Sequence, residues 1–327
     1  MIHSRGCAAA LILCTLVTVS ATAQILWKEP QPTTICDWTW GPGGEEMAPR
    51  PPVQFVKEKS TGTNPKVEVR DAAERRWIVK FGSEVHADAF ASRLLSAVGY
   101  AAETTYFVRS GSINDVHDLK RAKYFISKDG SFHGARFKLH RHGSDDDAAS
   151  SAWSWVENPF VGSRELGGLK ILIMLASNWD TKDARDGEGQ SNNGIIRYGS
   201  ANSTSWYAVT DWGASFGKSG GFFGRNRWNA EGYHSQTSNF VRLTSNGKLD
   251  LGFKGKHGQD ITAGVRLEDI RWLVPYLSRI SDEDLKAGLA ASGASAPVAQ
   301  QFTKSIRERV LQLQRVADTS NVQQAVK

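Results

Sequence analysis

The sequence predicts an α+β protein of two lobes, with a strand-rich first part and a helix-rich remainder. Before residue 112, short apolar or alternating runs such as KVEVRD and RRWIVKFG are separated by turn-forming stretches. From LEDIRWLVPYLSRI onward, apolar residues instead recur at helical spacing. We therefore expect a smaller lobe over residues 50–112 and a larger lobe over residues 113–327.

The smaller lobe is predicted to contain an antiparallel sheet with one helix. VQFVKEK, KVEVRD, RRWIVKFG and TTYFVRSG are the candidate strands. A helix is predicted over residues 86–100, where apolar residues have helical spacing and Gly99 ends the pattern.

The larger lobe is predicted to begin around a buried helix. Residues 163–179 form the most apolar internal segment, and Ser163 can cap its start. Residues 205–217 read as a strand that enters a glycine-rich loop, and a long polar stretch follows over 218–262. Three helices are expected after it, one of them capped by Ser281.

The N-terminus has the pattern of a secretory signal peptide over residues 1–23. Arg5 supplies the positive charge, an apolar stretch follows from Ala8 to Val19, and Ala21-Thr22-Ala23 gives a small-x-small cleavage site. The apolar run is shorter than the roughly 20 residues that span a bilayer. We expect an exported protein, periplasmic or extracellular, with an irregular segment over 24–49 and no later transmembrane segment.

Charge and cysteine content exclude some classes of protein. The chain has 40 Lys and Arg against 34 Asp and Glu, and Arg5 would leave with the signal peptide. The basic residues form no arm or block of the kind that binds nucleic acid, so no nucleic-acid partner is expected. Cys36 would be the only cysteine of the exported chain, which therefore cannot form an internal disulfide.

Several polar residues have the types and order that phosphoryl transfer requires. That reaction needs a cation on the phosphates, oxygen ligands for Mg²⁺, and a carboxylate that orients the attacking hydroxyl. A strand lysine, a helix acid, an acid after the buried helix, and two later oxygen ligands fit these needs. They are Lys80, Asp88, Asp180, Asn192 and Asp211.

The arrangement of these motifs resembles the kinase-like superfamily that includes HipA-like kinases, secretory-pathway protein kinases and phosphoinositide kinases. It is also similar to a group of exported bacterial proteins without assigned function, which share GTxPKVxV…WxVKFGxEVH…RLxxAxGY…NWDxKD…SN…DWG…G over roughly residues 36–315. The resemblance implies a two-lobed kinase-like fold that binds ATP or another nucleotide with Mg²⁺. It also implies that a turn and its lysine cover the phosphates, namely Gly62, Thr63, Asn64 and Lys66.

Three points stay open at this stage. Asp88 stands where kinases use Glu, so Glu84 is a competitor for holding Lys80. The interval between Asp180 and the metal Asn is long, which leaves Asn193 and Asp186 as alternatives to Asn192. The chain is either an active kinase with an unknown protein, sugar or lipid acceptor, or a pseudokinase, which the scarcity of ATP outside bacterial cells favours.

Three other classes of site are weighed against this one. Gly213–Gly217 matches Gly-x-Ser-x-Gly, which would make Ser215 a hydrolase nucleophile served by His234 or His257 and oriented by Asp250 or Asp260. A metal site is the second possibility, at His140 and His142 with Asp145–Asp147 close behind. A sugar-binding surface is the third, formed by Trp38, Trp40, Trp153 and Trp155.

Overall fold

The computed structural model describes residues 23–30, 37–140, 152–187, 189–198, 204–220 and 224–325. Its strands are β1 (Ala23–Ile25), β2 (Gln54–Lys59), β3 (Lys66–Arg70), β4 (Arg76–Phe81), β5 (Thr105–Ser112), β6 (Ser131–Leu139), β7 (Asn193–Tyr198), β8 (Thr204–Val209), β9 (Val241–Leu243) and β10 (Leu249–Leu251). Its helices are α1 (Val85–Ala97), α2 (Arg164–Leu175), α3 (Ala230–His234), α4 (Gly258–Thr262), α5 (Leu267–Ser278), α6 (Asp282–Ala291) and α7 (Ala296–Ala325).

The strand-rich part is a five-stranded antiparallel sheet in the order β2-β3-β4-β6-β5. Side chains alternate across the central strand β4. Trp77, Val79 and Phe81 are fully buried in one core, whereas Lys80 points to the other face, toward α1. The antiparallel sheet predicted from the sequence is therefore confirmed.

The sheet extends past the predicted lobe boundary at residue 112. Strand β6 lies between β4 and β5 and pairs with both, with Lys80 opposite Arg136 in the register. The pairing of β6 with β4 joins residues more than fifty positions apart, a separation that no local pattern in the sequence can indicate.

The second part of the chain is built around α2. Ser163 caps this helix, since its hydroxyl accepts a hydrogen bond of 3.1 Å from the backbone N–H of Leu166. The helix is almost wholly buried up to Leu175. Immediately after it, Ser177 has a φ of 53°, and this left-handed residue turns the chain toward Asp180.

A small sheet follows α2, and it includes the start of the described chain. Strands β7 and β8 form a hairpin, and β1 pairs in parallel with β8. The segment predicted to be irregular over 24–49 therefore begins as a strand at Gln24 and Ile25. The predicted signal peptide lies outside the described residues except for Ala23.

The C-terminal helices α5, α6 and α7 complete the larger core. Arg309 of α7 is 1 % exposed, and it donates hydrogen bonds to the carbonyls of Leu175 at 2.9 Å and Tyr233 at 2.9 Å and to the hydroxyl of Ser177 at 2.7 Å. In the described part of the chain, no helix is both long and apolar enough to cross a bilayer. The expected α+β class, with strands first and helices later, is confirmed.

Candidate functional site

The centre of the candidate site is the side chain of Lys80, near the end of β4. The chain turns at Gly82, whose φ is 98°, and α1 begins three residues later. This geometry places two acids of the helix start beside the lysine. The Nζ atom of Lys80 lies 2.5 Å from Oε2 of Glu84, 3.5 Å from Oδ2 of Asp88 and 3.7 Å from Oδ2 of Asp211.

The three carboxylates determine the charge state of Lys80. Burial disfavours the ammonium form, but the negative charges of Asp211 and Asp88 outweigh it and raise the pKa of Lys80 above its usual value. The lysine therefore stays protonated at neutral pH. It provides a fixed positive charge at the junction of the sheet, α1 and the loop after β8.

Asp88 has more partners than the sequence suggested. Its Oδ2 accepts a hydrogen bond of 2.9 Å from Nη1 of Arg136, and its Oδ1 accepts one of 2.8 Å from the backbone N–H of Trp212. Burial raises the pKa of Asp88, although the charges of Lys80 and Arg136 act in the opposite direction. Asp88 thus ties α1 to β6 and to the Asp-Trp-Gly loop, while Glu84 is the nearest partner of Lys80.

Glu84 also connects the lysine to the opposite side of the site. Its second oxygen accepts from Nη1 of Arg227, and the Arg227 guanidinium lies 5.0 Å from the ring centroid of Trp179. A Cβ atom on Gly213 would stand 2.7 Å from Cβ of Glu84, so only glycine fits at this point of the Asp-Trp-Gly element. Trp179 directly precedes Asp180, and the contacts of Glu84 therefore reach from Lys80 to the residue beside the predicted base.

The structure brings Asp180, Asn192 and Asp211 into one chain of hydrogen bonds. Nδ2 of Asn192 donates to the backbone carbonyl of Asp180 at 2.5 Å, and the carbonyl of Asn192 accepts from the N–H of Asp211 at 3.3 Å. The long interval between Asp180 and Asn192 thus closes as a loop. Its two ends meet beside the end of β8.

Asp211 is the most available carboxylate of this group. Desolvation by the surrounding protein disfavours the ionised form of Asp211. The charge of Lys80 and the backbone N–H of Gly213, at 3.0 Å, outweigh this effect and lower the pKa of Asp211 to about 2. Its side chain nevertheless keeps 41 % of its surface exposed. Asp211 is therefore an ionised oxygen donor that faces solvent.

Asn192 and Asp211 fit the ligand chemistry of a divalent cation. In the described residues, no donor hydrogen-bonds to Oδ1 of Asn192, whose Nδ2 is already used by Asp180. Glu84 and Asp88 each have an arginine partner, whereas Asp211 has Lys80 as its one ion-pair partner among the described residues and accepts one further bond from the N–H of Gly213. An amide oxygen and a carboxylate in this state suit Mg²⁺, which prefers oxygen ligands.

The two alternative metal ligands have other partners. Oδ1 of Asn193 accepts a hydrogen bond of 2.5 Å from Ser191, and the side chain is buried. Asp186 contacts Nε2 of His257 at 2.7 Å and pairs with Lys256, and these contacts, with the backbone N–H of Asp183, lower its pKa to about 2 against the effect of burial. Among the candidates of the sequence, the geometry favours Asn192.

Asp186 belongs to a separate charged cluster. Ligand atoms of Asp183, Asp186 and His257 lie within 4.8 Å of one another. Arg185 pairs with Asp183 at 2.5 Å and with Asp260 at 2.8 Å. The acids of this cluster are neutralised by protein cations, and we interpret it as an ion-pair network that holds the loop after Asp180.

The predicted phosphate-covering turn lies next to the end of β4. Gly62 has a φ of 75°, as expected for a tight turn, and Lys66 is the register partner of Lys80 on the neighbouring strand. Asn64 approaches Gly82, because a Cβ atom there would stand 3.4 Å from its Oδ1. The turn, Lys66 and Lys80 are therefore close in space.

Arg136 is the functional residue that the sequence did not reveal. It is 5 % exposed and holds Asp88, and it sits in the same row of the sheet as Lys80. A register match across the sheet is the signal that identifies it. That signal is absent from the sequence, where Arg136 is one of several basic residues in the segment ARFKLHRHG.

The hydrolase interpretation of Gly-x-Ser-x-Gly is wrong. Ser215 is fully buried, and its hydroxyl has no hydrogen-bond partner within the described part of the chain. The two candidate bases contact other groups, since Nδ1 of His234 lies 3.1 Å from the hydroxyl of Ser305 and His257 contacts Asp186. A nucleophile must reach its substrate, and Ser215 cannot.

The sugar-binding interpretation is also wrong, because three of its four tryptophans are core residues. Trp38, Trp153 and Trp155 are 6 %, 4 % and 1 % exposed, and Trp40 packs against the core of the sheet.

The metal site predicted at His140 also requires His142 and Asp145–Asp147, which lie outside the described residues.

Comparisons with known proteins give only distant similarity. No family model matches the chain, and no curated protein matches it. The crystal structure of the Golgi casein kinase with Mn/ADP bound has a TM-score of 0.39 and 12% identity, covering 82% of this chain and 73% of that chain. A further crystal structure of the Golgi casein kinase has a TM-score of 0.38 and 10% identity, covering 83% and 72%.

Both solved structures are of the Golgi casein kinase. Their TM-scores lie below 0.5, and fold likeness does not transfer function by itself. The activity proposed for this chain therefore depends on the geometry of its own site.

Proposed function

We propose that this chain is a nucleotide-dependent phosphotransferase of the kinase-like class. One observation supports this above the others. Lys80 lies 3.7 Å from the solvent-facing carboxylate of Asp211, and the backbone N–H of Asp211 is joined through Asn192 to the backbone carbonyl of Asp180. A cation for phosphate and the residues proposed as metal ligands and acceptor-side carboxylate are thus neighbours.

Each residue has a role that its surroundings support. Lys80 and Lys66, with the turn at Gly62, Thr63 and Asn64, neutralise and cover the phosphates. Asn192 and Asp211 hold Mg²⁺, which supplies charge neutralisation on the phosphate oxygens when it is bound.

Asp180 orients the hydroxyl of the acceptor. Its carboxylate stays half-buried beside the loop that the Asp183–Asp186 network holds. The acceptor belongs to the open classes of protein, sugar and lipid. We further propose that the reaction takes place outside the cytoplasm, on the strength of the N-terminal leader pattern.

A second candidate function is nucleotide binding without phosphate transfer. Oδ2 of Asp180 lies 3.3 Å from Nζ of Lys182. This ion pair occupies a carboxylate oxygen that would otherwise be free to orient the acceptor hydroxyl. This contact favours a pseudokinase unless the acceptor displaces Lys182.

Titration with Mg²⁺–ATP, followed by thermal unfolding, tests the proposal. We expect the unfolding midpoint of the wild type to rise with nucleotide concentration, since a ligand of the native state stabilises it. Asp211→Asn and Asn192→Ala should each abolish the Mg²⁺-dependent part of the rise. Glu74→Gln is the matched control, because the side chain of Glu74 is exposed and pairs with Arg70 at the surface, away from the candidate site.

Phosphate turnover then separates the two functions. If the wild type releases or transfers the γ-phosphate and Asp180→Asn does not, the phosphotransferase is supported. Binding without turnover in the wild type supports the pseudokinase. If no nucleotide shifts the wild-type midpoint, with Mg²⁺ or with Mn²⁺, both are refuted.

A further inference from the structure

A short segment between β5 and β6, residues 120–126, packs against the phosphate-covering turn. The carboxylate of Glu58, at the end of β2, accepts three backbone hydrogen bonds from it. The donors are the N–H groups of Lys120 at 2.5 Å, Arg121 at 2.8 Å and Ala122 at 2.8 Å. The strand that leads into the turn therefore fixes the position of this segment.

The side chain of Arg121 also hydrogen-bonds to the turn itself. Its Nη1 donates to the carbonyls of Ser60 and Gly62, each at 3.0 Å, and its Nη2 donates to the carbonyl of Thr63. One planar guanidinium thus binds three backbone carbonyls of residues 60–63. Arginine can do this because its five N–H donors have a fixed geometry, whereas a lysine ammonium is a point charge.

These bonds have a consequence for anion binding. The turn residues Gly62 and Thr63 are exposed, and an exposed glycine-containing turn has many accessible conformations. Arg121 restricts them and turns carbonyl oxygens toward itself. Carbonyl oxygens directed at a phosphate would repel it, so this arrangement removes an unfavourable interaction and adds a nearby positive charge.

The other end of the same segment contacts the strand of Lys80. The ring of Phe125 stacks on Phe81 with centroids 5.8 Å apart, and Phe81 follows Lys80 directly. The backbone N–H of Phe81 also donates to the carbonyl of Pro65 at 3.1 Å. Residues 120–126 therefore touch both the turn and the end of β4, and they determine the spacing between the two.

We propose that Arg121 is a positioning residue that holds the Gly62–Asn64 turn in the shape that receives the nucleotide phosphates. This inference rests on the proposed function, because it assigns the phosphates to that turn. Arg121 acts through the backbone of the turn. Its loss therefore affects the phosphate-bearing part of a nucleotide and leaves the nucleoside part unaffected.

The test compares ATP with adenosine in the full chain, using Arg121→Lys. We expect Arg121→Lys to weaken Mg²⁺–ATP binding by about tenfold or more, which corresponds to the loss of a charged hydrogen bond. Adenosine binding should not change, and the unfolding midpoint without ligand should stay within about 2 °C of the wild type. Backbone hydrogen exchange at residues 60–64 should become faster.

Arg70→Lys is the matched control, since Arg70 lies at the far end of β3 and its side chain pairs with the exposed Glu74. It should alter none of these quantities. Unchanged ATP affinity in Arg121→Lys, or an equal loss for ATP and adenosine, overturns the inference. If the wild type binds no nucleotide at all, the proposed function itself fails. If the wild type and Arg121→Lys bind ATP equally well, only the inference about Arg121 fails.

Discussion

Glu84 is closer to Lys80 than Asp88 is, with Oε2 2.5 Å from the ammonium against 3.5 Å for Oδ2 of Asp88. The two acids lie one turn apart at the start of α1 and have separate roles. Glu84 links Lys80 to Arg227, whereas Asp88 links Arg136 to the Asp-Trp-Gly loop. Replacing each acid by its amide distinguishes these roles.

Asp88→Asn should cost about 3–5 kcal/mol of unfolding free energy, because it leaves the buried Arg136 without a counter-charge. Glu84→Gln should cost less, about 1 kcal/mol, since Arg227 is partly solvated and Lys80 keeps Asp88 and Asp211. Urea unfolding measures both. A larger loss for Glu84→Gln than for Asp88→Asn would contradict these roles, and Glu74→Gln provides the exposed reference.

The ion pair network around Asp186 predicts a specific acid dependence. The pKa of Asp186 is lowered to about 2 in the folded protein from an ordinary 3.8. Its contribution to stability is therefore complete above pH 3.8 and is lost as the pH falls through about 2. The stability difference between the wild type and Asp186→Asn should be constant above about pH 5 and should shrink between pH 4 and 2.

Unfolding free energies of both proteins over this pH range provide the measurement. Glu74→Gln is a suitable control on the acid limb, since the side chain of Glu74 is exposed. A difference that grows toward low pH would mean that Asp186 is not held by Lys256 and His257 as the structure shows.

Arg309→Met should destabilise the larger part of the chain. The substitution removes the buried hydrogen bonds that Arg309 donates to the carbonyls of Leu175 and Tyr233 and to the hydroxyl of Ser177. We expect a loss of about 2–4 kcal/mol in unfolding free energy. Arg315→Met, on the exposed side of α7, should change it by less than about 0.5 kcal/mol, and equal effects would show that the buried contacts contribute nothing.

Ser215 should not react with a serine-directed fluorophosphonate probe. It is fully buried in the folded protein, so the probe cannot reach the hydroxyl. Mass spectrometry of the treated native protein checks this, and a denatured, refolded sample serves as the control for handling. Stoichiometric labelling of Ser215 in the native chain would restore the hydrolase hypothesis.

Local patterns in the sequence were enough to predict the α+β class and most elements. Strand alternation before residue 112, the Ser163 cap of α2 and the Ser281 cap of α6 depend on neighbours a few positions apart. The place of β6 in the sheet and the pairing of β1 could not be predicted in the same way. Both depend on strand pairing between distant residues, as in β6 with β4 and β1 with β8.

Residue types and their order also predicted the members of the candidate site, because phosphate and Mg²⁺ chemistry requires lysine and oxygen ligands in recognisable contexts. Only the tertiary structure decided which of them are neighbours. It placed Glu84 nearest to Lys80, brought Asn192 and Asp211 together, and gave Asn193 and Asp186 to other partners. The physical reason is that ion pairs and hydrogen bonds depend on distances of a few ångströms, which the register of the sheet and the packing of α1 determine. The contacts of Arg136 and Arg121 could be found only in the tertiary structure for the same reason, since each residue contacts partners almost fifty or more positions away.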